Sequence, residues 1–557
     1  MTWSVKSRLR ELRAAETGPP PKDPGGRLSV ALLWPGDYRT SLSALGYLSI
    51  YGLISRRPDV LAERFFWPDD DLAAIYRRSG APLMSLESGR PLRDFDLVAA
   101  SLAVENDYWR LLALLTAGGL APNRAERAES DPPVLAGGVA VWANPWPLRP
   151  WADLILAGEA EAQWPQLISA ALTGLALPKT ERLRRLAEKT PGALLPEAAT
   201  DFSLRPAALS WPPPEDILPP VSPIVSPKAE FSGARLVEIS RGCPHGCRFC
   251  LTGALFRPHR PWPLKSILKA LGPSSPEKVG LVSPAAAEHP DLSELLAELF
   301  RQGRAVTISS LRLTALTPEL AEKLAAGRLK GAAVAPEAGS QALRNRLNKD
   351  LTEAQILEGV RLLSGAGLKT IKLYFMLGLP GETQADLAAL AELAREIRRA
   401  AGARPALTLS LANFTPKPHT PFEGAAMNTA GELKRKGAWV VKALKGLSGL
   451  KVNLDPPLWS ITQGLLARGG PESGRLVAAL ARRQGSLKPS LAEFGYTPSH
   501  PLHRPWPDDQ ARPWRLIQTA AGLKHLTEEA AKADQGLFSA PCPLENNCGR
   551  CSACAKS

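Results

Sequence analysis

The sequence predicts an α/β protein built from two strand–helix units and a small C-terminal region. Three observations carry that expectation. Between residues 28 and 173, short apolar runs of strand length alternate with helical patterns. From residue 235 the alternation resumes and gives six strand–helix pairs. Between the two lies a proline-heavy stretch, 211–227, that fits neither pattern. Alternation of this kind argues for parallel sheets covered by helices. A chain of 557 residues has enough material for two or three cores.

Residues 1–27 read as an N-terminal extension. Val5, Leu9 and Leu12 suggest a short amphipathic helix, and the charged start has no apolar stretch of the secretory-signal kind. Residues 28–173 form the first unit, with strands expected at 28–34, 64–67, 97–102, 134–136 and 154–157 and a helix at 108–116. The pattern predicts a doubly wound, Rossmann-like sheet, in which ligands bind beyond the carboxyl ends of the strands. Here those ends carry Pro35 and Tyr38, Gly137-Gly138, and Gly158-Glu159, with Gly46 in the helical pattern after the first strand. Residues 174–230 read as a linker: one helix at 181–189, then prolines dense enough to keep the chain extended.

Residues 231–425 form the second unit. Its expected strands are 235–240, 278–283, 305–309, 331–335, 370–375 and 406–411. Just after the first of them come Cys243, Cys247 and Cys250, at spacing C-x3-C-x2-C. Three thiolates that close together can each take one iron of a cubane cluster. No fourth cysteine lies nearby, so one iron stays open for a ligand, which marks a catalytic metal site. The alternative is a zinc knuckle or structural cluster completed by His245 or His259.

Residues 426–557 read as a helical region with a cysteine-rich tail, Cys542-x5-Cys548-x2-Cys551-x2-Cys554. The C-x2-C-x2-C core resembles ferredoxin runs and suggests a second 4Fe–4S cluster. Zinc is the alternative for these four ligands. All seven cysteines fall in these two runs, an odd number in ligand-like spacing. A disulfide framework is therefore not expected, and a reducing, cytoplasmic setting is. No apolar run reaches the roughly 18–20 residues of a membrane span. The net charge of +14 is compatible with an RNA partner, yet no long Lys/Arg run is present.

The stretch from Arg241 to Cys250, with Phe249 before the third cysteine, resembles the signature of radical S-adenosylmethionine (SAM) enzymes. The resemblance implies a partial (β/α)6 barrel and a 4Fe–4S cluster whose open iron is chelated by SAM. It also implies an electron donor of flavodoxin or ferredoxin type and reductive cleavage of SAM to a 5′-deoxyadenosyl radical. Further motifs match one subfamily: Ser309-Ser310-Leu311-Arg312, then Pro336-Glu337-Ala338-Gly339-Ser340 with Arg344, then Phe375-Met376-Leu377-Gly378 with its Leu-Pro-Gly-Glu continuation, then 414–422. By that resemblance Phe249, Ser310, Arg312, Glu337, Ser340, Arg344, Phe375, Met376, Leu377 and Gly378 are candidate SAM contacts. In the same subfamily a cobalamin-binding domain precedes the barrel, which makes Pro35, Tyr38, Gly46, Gly137, Gly138, Gly158 and Glu159 candidate cobalamin contacts. The D-x-H-x2-G motif of many cobalamin proteins is absent, and Ser283-Pro284-Ala285 stands where many radical SAM enzymes have Gly-Gly-Glu.

The resemblance leads to a cobalamin-dependent methyltransferase acting on an unactivated carbon. Two alternatives remain: a cobalamin-independent enzyme that modifies RNA or protein in the manner of methylthiotransferases, and an iron–sulfur redox or scaffold protein that makes no radical. Against the first alternative, no cysteine precedes Cys243.

Overall fold

The computed structural model describes residues 3–198, 204–273, 277–308, 311–327, 329–507, 509–518, 520–543 and 551. Ser310, Cys548 and Cys554 lie outside the described residues. The chain divides into two compact units, both assembled from separated segments. The first comprises Met1–Leu236, Leu466–Tyr496 and Arg512–Gln518; the second comprises Val237–Leu465, Thr497–Ala511 and Thr519–Ser557. The proline-rich stretch thus belongs to the first unit, where Ile224 is buried among its core side chains.

The first unit is built on a six-stranded sheet: β1 (Leu28–Trp34), β2 (Val60–Phe66), β3 (Leu97–Ser101), β4 (Val134–Gly137), β5 (Leu154–Leu156) and β6 (Ala193–Leu194), in the order β2-β1-β3-β4-β5-β6. The first five run parallel and β6 pairs antiparallel with β5. The strands read as apolar runs because both faces are covered. The second strand starts four residues before its expected position because Val60, Leu61 and Ala62 continue the buried run.

All seven residues of β2 are buried although it is an edge strand. That burial takes in Arg64, whose guanidinium is 1% exposed and sits between two carboxylates. Its Nη2 lies 2.6 Å from Glu16 and its Nε 2.7 Å from Glu87, each side chain 3% exposed. Glu87 also accepts from the Arg64 backbone N–H. The helix Trp3–Ala14 buries the expected Val5, Leu9 and Leu12, and the turn after it carries Glu16 into this cluster.

In the second unit, β7 (Ala234–Glu238), β8 (Ser240–Arg241), β9 (Arg260–Pro261), β10 (Lys278–Val282), β11 (Ala305–Ile308), β12 (Gly331–Glu337), β13 (Thr370–Leu377), β14 (Ala406–Asn413) and β15 (Leu450–Leu454) follow in order. They form a three-stranded sheet β11-β10-β7, a four-stranded sheet β12-β13-β14-β15 and a small β8-β9 pair. The four-stranded sheet is parallel throughout. The six expected strands are all present, and β15 is a seventh. The barrel is therefore open, as two sheets rather than one among the described residues. One hydrogen bond, from the Leu311 N–H to the Ala333 carbonyl at 3.0 Å, links the chain after β11 to β12.

Three helices of this unit begin with reciprocal capping boxes: Thr352 with Gln355, Thr383 with Asp386, and Thr429 with Glu432. Each satisfies two otherwise unpaired backbone donors and fixes where the helix starts relative to the preceding loop. Among the described residues, no helix is long and apolar enough to cross a membrane.

Replacing Arg64 by Met removes the cation from two buried carboxylates. Breaking a buried pair in this way costs about 3–5 kcal/mol. Denaturant unfolding of the variant is expected to show that loss at pH 8 and a smaller one at pH 5. Burial already raises the Glu87 carboxyl, and without the cation it rises further, so the variant gains relative stability as Glu87 protonates and loses it as pH rises through that raised value.

Candidate active site

The cysteine loop, 241–250, has almost no regular structure, so each polar group must find a partner outside it. It begins with a turn only glycine tolerates. Gly242 has φ 73°, and a Cβ there would stand 2.1 Å from the Phe256 carbonyl oxygen. The Arg248 N–H then donates to the Leu347 carbonyl at 3.0 Å, and the Arg248 carbonyl accepts from the Phe422 N–H at 3.2 Å. Cys250 closes the loop with a 3.1 Å hydrogen bond to the Cys247 carbonyl.

Phe249 points into an apolar cluster containing Ala338 and Leu343, Leu379 and Met376, and Phe414 and Phe422. The three sequence motifs from 336, 375 and 414 therefore meet on the aromatic side chain of the cysteine loop. The 414–422 segment, which carried no chemical role in the sequence, acquires one. Its Phe414 and Phe422 stack edge to face with centroids 6.1 Å apart, and its backbone holds that of Arg248.

The three cysteines are free thiols, partly buried. Burial, and then the charges of Cys247 and Cys250, push the Cys243 thiol up to about 12. Burial and Cys247 likewise push Cys250 up. Thiolates that disfavour one another are what a shared cationic iron centre reverses, so the donor set suits a cluster. Among the described residues, no three His, Cys, Asp or Glu side chains stand in a finished metal-holding arrangement.

Charged groups surround the thiols. The Lys349 ammonium lies 3.1 Å from Glu337, with both side chains largely buried. Burial works against the Lys349 charge, but Glu337 and Cys247 hold its pKa above the ordinary value. Glu337 ends β12 with φ 69°, a left-handed conformation uncommon for a non-glycine residue. His245 Nε2 lies 2.9 Å from Glu288, and Arg312 Nε is 3.8 Å from the same carboxylate oxygen. The His245 hydrogen bond holds the Glu288 carboxyl below its usual range despite partial burial. His259, the other sequence-level candidate for a fourth ligand, is buried with neither ring nitrogen hydrogen-bonded. Burial lowers its pKa to about 4.

The remaining expected SAM contacts are placed as follows. Ser340 caps the helix Gln341–Arg346 and donates to Asp386. Arg344 is fully buried and its guanidinium donates to the carbonyls of Ala338, Gly339 and Leu351 and to Gln341. In this structure it closes the 338–351 turn rather than facing a carboxylate ligand. Phe375 and Leu377 are buried in β13, with Met376 between them half-buried. Gly378 has φ 76° and donates its N–H to Glu382, which forms the turn. Lys349, Glu288 and His245 are not among the SAM contacts that the resemblance implies. Lys349 in particular sits in no motif, and only the fold brings it to Glu337.

In the first unit, the expected cobalamin contacts are largely engaged by the chain itself. Tyr38 is buried and its hydroxyl bonds the Leu12 carbonyl and Glu16, each at 3.0 Å. Burial raises its pKa well above the ordinary value. The Pro35 carbonyl accepts from Arg110. Gly138 (φ 112°) and Gly158 (φ 122°) do mark close backbone approaches. A Cβ at Gly138 would come 2.4 Å from the Leu102 carbonyl oxygen, and one at Gly158 would come 2.2 Å from that of Ala207. Their close neighbours are therefore this chain's own backbone. A Cβ at Gly137 would meet Leu156 at 3.4 Å, and Glu159 is buried with its carboxylate on the Leu209 N–H. Only at Gly46 would an added Cβ enter open space. These residues do not form a cradle for a corrin. A separate cavity of about 810 Å³ in this unit is lined by Trp67, Tyr76, Trp109 and Trp151 and uses none of them.

Of the tail cysteines, Cys542 and Cys551 are described. Both line a cavity of about 420 Å³ together with Cys247 and Cys250. Arg257 lines the same cavity, its guanidinium 3.8 Å from the Cys551 sulfur.

The comparisons with known proteins agree with this geometry. A family model described as radical SAM proteins, N-terminal, matches residues 46–196, and the radical SAM superfamily model matches 237–394. An uncharacterised protein of Methanocaldococcus jannaschii is 26% identical over 449 residues, covering 79% of this chain and 88% of that one. An uncharacterised protein of Methanopyrus kandleri is 26% identical over 213 residues, 35% of this chain and 40% of that one. Among solved structures, the radical SAM methyltransferase TsrM from Kitasatospora setae, with cobalamin and a 4Fe–4S cluster bound, superposes with a TM-score of 0.54. The identity is 12%, and the match covers 84% of this chain and all of that one. The cysteine loop at the end of β7, the motifs gathered on Phe249 and the two matched models place the chain in the radical SAM superfamily.

Proposed function

We propose that this protein is an enzyme that binds SAM beside a 4Fe–4S cluster held by Cys243, Cys247 and Cys250. The observation that carries this reading is the convergence on Phe249 of the three motifs from β12, β13 and the segment after β14. When bound, the cluster supplies an electron to SAM and so the reductive cleavage of its sulfonium bond. The chain's own part is to bind and orient. The three thiols offer ligands for three irons and leave one iron for the SAM amino and carboxylate groups. Lys349 and Arg312 put positive charge beside the thiolates, and the Lys349–Glu337 and His245–Glu288 pairs supply donors and acceptors at the same loop. An external one-electron donor of flavodoxin or ferredoxin type completes the system.

The finer reading is a cobalamin-dependent methyltransferase acting on an unactivated carbon. What supports it is the likeness in fold to a methyltransferase bound to cobalamin. The seven nominated residues give it no support, so no step is assigned to cobalamin here. The tail run Cys542, Cys548, Cys551 and Cys554 is proposed to hold a second 4Fe–4S cluster, with zinc as the alternative. The basic charge of +14 leaves RNA among the candidate substrates.

Anaerobically reconstituted protein, reduced with dithionite in the presence of SAM, is expected to release 5′-deoxyadenosine. No product from protein with an intact cluster overturns the enzymatic reading in favour of a scaffold. Substituting Cys247→Ala is expected to abolish SAM cleavage, because a cubane missing one thiolate is labile; retained cleavage would contradict the ligand assignment. For the cofactors, elemental analysis of the reconstituted protein is expected to find about eight irons and no zinc if both sites are cubanes. Cobalamin offered during reconstitution and then released by base should be recovered near one equivalent. Protein that retains none has lost the case for methyl transfer through cobalamin.

A further inference from the structure

Residue Arg248 stands between two proposed cluster ligands, Cys247 and Cys250, and its side chain is fully buried. Its guanidinium contacts Glu529 through Nε at 3.2 Å and Nη2 at 3.1 Å. It also donates to the carbonyls of Asn345, Arg346 and Leu537 at 2.8–3.2 Å. Glu529 lies on the helix Leu523–Asp534, and burial opposes its charge. Hydrogen bonds from Lys532 and Ser539, and the Arg248 charge, nevertheless hold its carboxyl below the usual range.

Beyond this helix the chain turns back along the cysteine loop. Leu537 meets Arg248. Ser539 exchanges two hydrogen bonds with the Asn348 side-chain amide, and that amide also donates to the Gly246 carbonyl at 3.2 Å. The Cys542 N–H donates to the Pro244 carbonyl at 2.6 Å. Residues 537, 539 and 542 thus address residues 248, 246 and 244 in turn. The strap is laid antiparallel along the segment that carries the first two cysteines. It lies beyond residue 394, where the match to the radical SAM model stops.

We propose that the strap 537–542 and the Arg248–Glu529 pair are positioning elements that hold the cysteine loop in its ligating conformation. The loop has little structure of its own; the tail bonds its backbone directly at Pro244, reaches Gly246 through the Asn348 amide and receives the Arg248 side chain at Leu537. Cluster retention is then coupled to docking of the tail: whatever loosens the strap speeds loss of iron from the loop. The idea rests on the cluster assignment proposed above. Arg248 and Glu529 touch neither SAM nor the reacting atoms; they act through Cys247 and Cys250.

The test uses full-length protein reconstituted anaerobically with iron and sulfide. Two quantities are measured: the rate of iron loss to a chelator, and the change in the EPR spectrum of the reduced cluster on adding SAM. Glu529→Gln leaves the Arg248 charge buried without its counter-ion and is expected to lose loop iron about tenfold faster. Its SAM-dependent EPR change should also be broadened, whereas Glu529→Asp should recover part of both. Asn348→Gly suits the left-handed backbone at φ 53° and removes only the amide, so it serves if the first variant fails to fold. It should shift both readouts in the same direction. Arg346→Ala, which breaks a more exposed ion pair between Arg346 and Asp534 of the same helix, should leave them unchanged. Wild-type iron loss in Glu529→Gln and Asn348→Gly overturns the proposal, and so does equal acceleration in Arg346→Ala, which would show that the helix Leu523–Asp534 as a whole, and not the strap with the Arg248–Glu529 pair, sets the rate. Wild-type protein that assembles no cluster fails the cluster assignment instead, a different result from either.

Discussion

A loop that carries Cys243, Cys247 and Cys250 with almost no regular structure cannot satisfy its backbone by forming a strand or a helix. The second unit is arranged around that constraint. Carbonyls and N–H groups for the loop come from the turn after the helix Gln341–Arg346, from the segment after β14 and from the C-terminal strap. Arg248 shows how little choice the sequence has. Next to Cys247, its long cationic side chain is fully buried, and five oxygen contacts from four residues receive it there. Small shifts in any of these supports would move the thiols themselves.

Much of the second unit was readable because most of its strands alternate a buried apolar residue with a more open one, and because the cysteine spacing is local. The six strands beginning near residues 235, 278, 305, 331, 370 and 406 are all present. β15 was not readable: Leu450–Leu454 has only partly buried or exposed residues and carries a lysine and an asparagine, so the run lacks an apolar signature. Lys349 was equally hidden, because its meaning depends on the left-handed turn at Glu337 and on a contact twelve residues away. Arg344 illustrates the opposite problem. A conspicuous arginine four residues after a capping serine looks like a ligand group, but the carbonyls of a tight turn need donors, and it supplies them.

In the first unit Gly138 and Gly158 are points of close approach, and what approaches them is this chain's own backbone. At Gly138 and Gly158 the neighbour is backbone from residues 102 and 207, a long-range pairing that no local pattern contains. The same distance in sequence hid Arg64, which reads as an interruption in a strand until Glu16 and Glu87 are brought to it.

The segmented make-up of the two units has a consequence for how the chain comes to be folded. Asn144, buried in the first unit, donates to the carbonyls of Leu466, Ala467 and Gly469, and Trp146 donates to Pro513. These partners are synthesised more than three hundred residues later. A nascent first unit must therefore wait, with these polar groups and the apolar surfaces of its late-arriving helices unpartnered, while nearly all of the second unit is made. Contacts of such sequence separation fold slowly and expose aggregation-prone surface in the interval. The order of translation thus sets the unit that begins first to finish late, and the N-terminal part of the gene does not by itself encode the whole first unit.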